Sequence, residues 1–109
     1  AIEKVRSWAG PKHAVFAAND EMAAGIIAGA AASGVNVPKD LGVVGFDDTR
    51  VAQMIKPPLT TVRVPMSKMG ASAIELLSQR IAEPDRPPTR VSLAAELVVR
   101  ESCGCNHSG

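Results

Sequence analysis

The chain has 109 residues, of which 46% are hydrophobic, and a formal net charge of +1. This length suits one domain with a buried core, and no apolar run approaches the ~20 residues that a membrane-spanning helix needs. The lysines and arginines form no basic block and only 3% of the residues are aromatic, which argues against nucleic-acid binding by this chain itself.

The first recognisable elements are a strand and a helix. The opening residues, AIEKVRSW, resemble the end of a helix, so we expect the chain to begin inside a larger protein. AVFAAND, residues 14–20, predicts a short buried strand that ends in Asn19 and Asp20. A helix is predicted over 21–33, and Asn19 or Asp20 can cap its start. Gly34 suits the left-handed position just after a helix.

The predicted helix has two distinct faces. The face with core-like helical spacing, expected to pack on a sheet, carries Met22, Ile26, Ile27 and Ala30. A strip of small side chains four residues apart consists of Ala24, Ala28 and Ala32. Such a strip leaves room for another element to approach closely.

The next stretch predicts a second strand that ends in two carboxylates. LGVVGF, residues 41–46, is a short apolar run followed directly by Asp47 and Asp48. Two such strands around one helix form a βαβ unit with parallel strands. A short helix over 48–55 follows, with Asp48 as its candidate cap, and the β-branched residues 60–64 predict a third strand.

The second half of the chain predicts one long helix and two strands. The helix covers 66–83, and the proline-rich EPDRPP after it forms a stiff turn. Two β-like pieces follow, at about 89–94 and 96–101. Beyond them, we expect residues 103–109 to form a disordered tail.

The tail carries Cys103 and Cys105, with His107 nearby. A structural zinc site normally requires four ligands, so we expect no metal there and a frayed, reduced tail that fits a cytosolic protein. No Ser-His-Asp arrangement, glycine-rich phosphate loop or histidine pair is found in the sequence. We therefore predict no catalytic residue, no cofactor and no enzyme activity.

Polar residues end both of the first two predicted strands. In an open parallel α/β sheet, ligands bind beyond the carboxyl ends of the strands. Asn19 offers a donor and an acceptor and ionised Asp47 offers acceptors, which suits a polyhydroxylated or purine-like molecule. From the pattern alone, each of the two either contacts a ligand or caps a helix. For Asp20 the pattern favours a helix cap at least as much as a ligand contact, and for Asp48 it predicts a cap of the short helix that follows.

Five strings carry a resemblance to a known family: AVFAANDEMAAG, VPKDLGVVGFDDTR, PPLTTVRVP, MGASAIELL and LAAELVVRESCG. In this order and spacing, over about residues 11–104, they resemble the C-terminal third of LacI/GalR-type transcriptional repressors. The resemblance implies an α/β fold, a parallel-sheet three-layer sandwich of the periplasmic-binding-protein-like type I kind, present here only as a C-terminal fragment. In that family a separate helix-turn-helix domain binds operator DNA. We therefore expect a cytoplasmic protein without a membrane segment that reaches DNA only through residues outside this chain.

The resemblance also assigns roles to residues. Asn19 matches the family's A-N-D asparagine and Asp47 its G-F-D-D aspartate, which implies binding of a small-molecule effector such as a sugar or related polar metabolite. The family's homodimer surface matches Ala24, Ala28, Ala32, Val51, Met54 and Ile55. For the alanine strip, tight packing within the chain is the alternative.

The resemblance implies a division of the chain between two subdomains. Residues 1–61 belong to the C-terminal effector-binding subdomain, 62–88 to the crossover strand and helix of the N-terminal subdomain, and 89–102 to the returning strands. Since the usual partners of the second helix and the last strands lie outside the chain, we expect exposed apolar surface. The alternative is a fragment of a periplasmic sugar-binding protein of an ABC transporter.

Overall fold

The computed structural model describes residues 13–105. They divide into two compact units: residues 13–63 with 96–105, and residues 64–95. Two predicted segments lie outside the described residues. One is the start of the predicted C-terminal subdomain, with the helix end at 1–8, and the other is the tail beyond residue 105, with His107.

The first unit is built on the predicted βαβ arrangement. Strand β1 (His13–Phe16) and strand β2 (Leu41–Val44) pair in parallel, with Phe16 opposite Val44. Helix α1 (Asp20–Ala32) connects them. Both strands are shorter than predicted because the chain after each one leaves the ladder, and the Gly45 N–H already donates to the Thr60 carbonyl oxygen at 2.9 Å.

Helix α1 lies within one residue of its predicted ends, and its predicted buried face is confirmed for Ile27 and Ala30, with Ile26 packed against the core. The residue after its C-terminal cap, Gly34, has φ +74°, as the sequence predicted. The buried positions are Asp20, Ala23, Ile27 and Ala30. The prediction for Met22 is wrong, since its side chain is 56% exposed. Met22 lies one residue before Ala23, about 100° around the helix from the buried face.

A second pair of strands lies beside the end of β2. Strand β3 (Thr61–Arg63) and strand β4 (Glu96–Val98) pair antiparallel. Single parallel bridges join Val44 to Thr60 and Asp47 to Arg63, so the approach to β3 runs alongside the carboxyl end of β2.

The last predicted strands are only partly confirmed. Strand β4 falls inside the predicted piece at 96–101. The strand predicted at 89–94 does not form. Strand β3 offers residues 89–94 no free edge. Strand β4 pairs along one side of it, and on the other side the N–H groups of Gly45 and Asp47 donate to the carbonyl oxygens of Thr60 and Val62.

The core of the first unit is small and rich in alanine. Helix α2 (Arg50–Met54), shorter than the predicted helix over 48–55, contributes the buried Ala52. The buried apolar side chains are Ala17, Ala23, Ile27, Ala30, Leu41, Val43, Ala52 and Leu59. These side chains fill the space between the first helix and the sheet.

The second unit is dominated by helix α3 (Met66–Ala82), none of whose residues is buried. Its exposed apolar side chains are Met66, Met69, Ile74, Leu77 and Ile81. The expected exposed apolar surface is therefore present.

The second unit begins two residues later and ends seven residues later than the predicted segment 62–88. Its start is shifted because Thr61–Arg63 pair with β4 and stay in the first unit. None of the helices in residues 13–105 has both the length and the apolar character that crossing a membrane requires.

The segment after β4 packs against β2. The fully buried Ser102 donates its hydroxyl to the Val43 carbonyl oxygen at 2.6 Å and accepts from the Thr60 N–H at 2.8 Å. The Val43 N–H in turn donates to the Ser102 carbonyl oxygen. The prediction of a frayed tail is therefore wrong for Cys103, which is half-buried next to this segment.

Candidate functional site

The parallel register brings the two predicted ligand residues to the same edge of the sheet. Asn19 and Asp47 each lie three residues beyond the last paired residues, Phe16 and Val44. Both therefore follow the carboxyl end of a parallel strand, where ligands of such sheets bind.

Asn19 is the N-cap of α1. Its side-chain Oδ1 accepts a hydrogen bond from the Met22 N–H at 2.8 Å, which satisfies one of the unpaired donors of the first helical turn. Among residues 13–105, no hydrogen bond from the amide nitrogen of this side chain is found. The capping interpretation is confirmed, and it leaves the amide N–H groups of Asn19 available to a ligand.

Asp47 is held by its backbone while its carboxylate stays unpaired. Its N–H donates to the Val62 carbonyl oxygen at 2.9 Å, and its φ is +111°, a region that side chains other than glycine rarely adopt. The side chain is half-buried, and no hydrogen bond or ion pair reaches it from any residue that the structure describes. The capping alternative is wrong for Asp47, because the N-cap of α2 is Thr49, which makes no side-chain capping bond.

Asp48 forms ion pairs with two arginines and does not cap a helix, so the prediction made for it is wrong. Its side chain is only 6% exposed, with Arg63 Nε at 2.8 Å from Oδ2 and Arg100 Nη2 at 2.8 Å from Oδ1. Burial alone would raise the pKa of Asp48, but the hydrogen bonds and charges of Arg63 and Arg100 outweigh it and hold the pKa below the ordinary value.

Both arginines are fixed by further contacts. Arg63 Nη1 donates to Glu96 Oε1 at 3.2 Å, and Arg100 Nη1 donates to the Leu59 carbonyl oxygen at 2.9 Å. The charge of Asp48 is therefore matched inside the first unit. Since Arg63 and Arg100 lie 15 and 52 residues away in sequence, no local pattern could have assigned this role to Asp48.

Asp20 is neither a helix cap nor an exposed ligand contact. It is fully buried, and its Oδ2 accepts from the N–H and the hydroxyl of Thr49 at 2.6 and 3.1 Å. Its Oδ1 accepts from the Thr61 hydroxyl at 2.6 Å. Asp20 thus ties the loop after β1 to the loop after β2 and to β3.

Gly45 makes room for this buried carboxylate. A Cβ at position 45 would collide with Asp20 Oδ1 and would lie 2.8 Å from Leu59 Cδ2. Position 45 therefore requires glycine for a steric reason, which the sequence pattern did not reveal.

Two phenylalanines precede the polar residues in sequence, three residues before Asn19 and one residue before Asp47. Phe16 ends β1 with 66% of its surface exposed, and Phe46 directly precedes Asp47. Their ring centroids are 6.5 Å apart with an angle of 27° between the planes, a stacked arrangement. The sequence reasoning missed this pair: Phe16 lies inside the strand predicted over 14–20, and Phe46 ends the strand predicted over 41–46.

The described residues offer no cluster for a metal ion. Across 13–105, no group of three or more His, Cys, Asp or Glu side chains is arranged to hold one. What they do offer is an unpaired carboxylate, a side-chain amide and an apolar ring surface.

A parallel βαβ unit with polar groups beyond the carboxyl ends of its strands is the arrangement in which α/β domains bind ligands. The model for the family described as periplasmic binding protein-like domain matches residues 1–103, and the chain belongs to this family. It is 35% identical over 102 residues to the HTH-type transcriptional repressor PurR of Vibrio vulnificus, covering 94% of this chain and 30% of that protein.

Solved structures of regulators are also similar. The transcriptional regulator CelR in complex with cellobiose shares 44% identity at a TM-score of 0.74, covering 82% of this chain and 27% of that one. A LacI family regulator from Enterococcus faecium with bound ribose shares 31% identity at a TM-score of 0.75, covering 93% and 37%. The resemblance to LacI/GalR-type repressors and the α/β fold are confirmed. The chain spans between 27% and 37% of the length of each of these proteins.

Proposed function

We propose that this chain is the effector-binding and dimerisation part of a LacI-family transcriptional regulator, a cytoplasmic protein whose operator contacts lie outside these residues. The observation that carries the proposal is the unpaired, half-buried carboxylate of Asp47 at the carboxyl end of a parallel strand. The similar proteins bear the names of regulators, which does not favour the transporter alternative. The chain has no catalytic role in this proposal.

The effector is a molecule rich in hydroxyl or N–H donors, and a sugar fits best. The Asp47 carboxylate would accept hydrogen bonds from it, while the Asn19 amide would donate to its oxygens. The exposed ring of Phe16 offers an apolar surface against which a sugar ring can pack. The similar structures named with cellobiose and with ribose support this class of ligand.

The neighbouring aspartates have divided roles in this proposal. Arg63 and Arg100 match the charge of Asp48, so they lower the cost of placing a second carboxylate one residue away. Asp48 also holds the loop, since its N–H donates to the Thr61 hydroxyl oxygen at 3.3 Å. Asp47, positioned by Val62, then remains the acceptor for the effector.

The same proposal includes a homodimer formed through α1 and α2. In the alanine strip, Ala28 and Ala32 are exposed and Ala24 is half-buried, so the strip is not packed tightly inside the first unit. On α2 and just after it, Met54 is 70% exposed and Val51 and Ile55 are half-buried. Small side chains beside exposed apolar ones suit close contact with a second copy.

Calorimetry on the full-length protein with cellobiose and with ribose tests the effector role. Asp47→Ala is expected to weaken binding of the sugar that the wild type binds by roughly 10- to 150-fold, the effect of losing a charged hydrogen bond. Asp47→Asn should weaken it similarly, and because asparagine tolerates positive φ, this variant separates the charge from the backbone conformation. Operator affinity without sugar should stay unchanged in both.

The matched control is Asp85→Ala, which removes an exposed aspartate in the second unit. It should bind sugar like the wild type. Unchanged sugar affinity in both Asp47 variants would overturn the assignment of Asp47. A wild-type protein that binds neither these two sugars nor any member of a wider sugar panel would contradict the sugar class.

A further inference from the structure

The two cysteines occupy unequal positions that the proposed effector site does not use. Cys103 is half-buried, and its Sγ accepts hydrogen bonds from the Thr60 hydroxyl and from the Cys105 N–H, both at 3.2 Å. Cys105 is exposed, and its Sγ donates to the Cys103 carbonyl oxygen at 3.7 Å. Neither cysteine is in a disulfide.

The hydroxyl of Thr60 is oriented toward the sulfur by a second hydrogen bond. Its oxygen accepts from the Arg100 N–H at 2.9 Å, while its proton points to Cys103 Sγ. Two donors on one sulfur stabilise the thiolate, which is the reactive form of cysteine. Burial opposes this effect, but the Thr60 and Cys105 hydrogen bonds outweigh it and lower the pKa of Cys103.

The position of Cys103 is fixed by the packing of its own backbone. The preceding residue, Ser102, is bonded to Val43 and Thr60. The Cys103 carbonyl oxygen lies against Gly42, where an added Cβ would be only 3.1 Å from it. The backbone that carries Cys103 Sγ is therefore held in place. Gly104, with φ +71° and no side chain, gives the segment between the two sulfurs the conformational freedom that a small disulfide ring requires.

We propose that Cys103-Gly104-Cys105 is a thiol–disulfide exchange site in which Cys103 attacks and Cys105 resolves. With a small-molecule disulfide such as glutathione disulfide, the Cys103 thiolate attacks one sulfur, forms a mixed disulfide and releases one glutathione thiolate. The Cys105 thiolate then attacks Cys103 Sγ and releases the second glutathione. Two protein thiols are oxidised to one intrachain disulfide, and one glutathione disulfide is reduced to two glutathiones.

Mass spectrometry of the full-length protein exposed to glutathione disulfide tests the proposal. In the wild type, the peptide containing residues 103–105 should lose two hydrogen atoms without accumulating a glutathione adduct. Cys105→Ser should stop at an adduct on Cys103, because no resolving thiol remains. Cys103→Ser should form its adduct on Cys105 more slowly. A persistent adduct in the wild type, or faster reaction at Cys105 than at Cys103, would overturn the proposal.

The role of the Thr60 hydroxyl is tested with Cys105→Ser as background and iodoacetamide as the probe. Thr60→Val removes the donor and should slow alkylation of Cys103 by about 2- to 12-fold, while Thr60→Ser keeps a hydroxyl and should react like the parent. Circular dichroism identifies any variant that fails to fold. If a Thr60 variant fails to fold, the proposal is tested by comparing the alkylation rates of Cys105→Ser and Cys103→Ser, both of which keep Thr60. Equal alkylation rates of those two proteins would contradict the special reactivity of Cys103.

Discussion

The Thr61 hydroxyl donates a 2.6 Å hydrogen bond to the buried Oδ1 of Asp20, across 41 residues of sequence. Asp20 stands at the start of α1, directly after the loop that carries Asn19, and Thr61 begins β3. With Thr49 bonded to the other carboxylate oxygen, one side chain connects three segments around the candidate effector site. The geometry of that site therefore depends on a residue that does not itself face a ligand.

Asp20→Ala is expected to destabilise the protein by about 3 kcal/mol or more, because it leaves one backbone N–H and two hydroxyl groups without their charged acceptor. Urea unfolding followed by circular dichroism measures the change. Asp40→Ala is the matched control: Asp40 accepts one exposed hydrogen bond from the Asn36 N–H, and its loss should cost about 1 kcal/mol or less. Equal losses in the two variants would contradict the central role given to Asp20.

Gly45→Ala is expected to destabilise the protein by several kcal/mol, because its Cβ would collide with the Asp20 carboxylate and with Leu59. Gly25→Ala provides the contrast. Nothing lies within 4 Å of a Cβ at position 25, in the interior of α1, so alanine should stabilise the helix by about 1 kcal/mol. Thermal unfolding measures the change in stability of both variants, which should be a loss for Gly45→Ala and a gain for Gly25→Ala. A Gly45→Ala protein as stable as the wild type would contradict the steric argument.

Asp48 makes stability depend on pH in the acidic range. Its pKa is lower in the folded protein than the ordinary 3.8, so the ionised form contributes stability that is fully present above 3.8. As the pH falls through the folded pKa, Asp48 is protonated and this contribution is lost. The difference in unfolding free energy between the wild type and Asp48→Asn should therefore be largest near neutral pH and should shrink below pH 3.8.

Urea titrations at several pH values measure this difference. Asp85→Asn, at an exposed position in the second unit, serves as the control and should give a small difference at every pH. A wild-type advantage over Asp48→Asn that stays constant between neutral and strongly acidic pH would mean that the ion pairs with Arg63 and Arg100 do not stabilise the fold.

If the full-length protein forms the proposed homodimer, Ala28→Arg is expected to convert it into monomers, because it places a long charged side chain in the middle of the alanine strip. Sedimentation velocity measures the change in oligomeric state. Ala71→Arg makes the same substitution at an exposed position of α3 and should leave the dimer intact. A dimer unaffected by Ala28→Arg would place the interface elsewhere.

The elements that the sequence predicted well are those whose signal is local. The strands around Val15 and Val43 are short apolar runs, and α1 lies between a capping asparagine and Gly34 at a left-handed position. Parallel pairing then follows from the connection, which explains why Asn19 and Asp47 could be placed at the same edge of the sheet.

The errors concern side chains whose partners are distant in sequence. Helix capping depends on neighbouring residues, so an aspartate just before a short helix resembles a cap. The arginines that form ion pairs with Asp48 lie on β3 and after β4, far away in sequence. Asp20 was missed for the same reason, since its third donor comes from Thr61. The β-like residues 89–94 show the converse: a favourable pattern forms no strand without a partner edge.

The bonds of Ser102 have a consequence for biosynthesis. Its hydroxyl joins Val43 to Thr60, residues made 59 and 42 positions earlier. While the chain is being translated, the sheet edge beside Val43 therefore stays open until the ribosome has passed residue 102. During that interval β2 has an unsatisfied backbone edge that can pair with a neighbouring nascent chain. The first unit can therefore be completed only after Ser102, one of its last described residues, has left the ribosome.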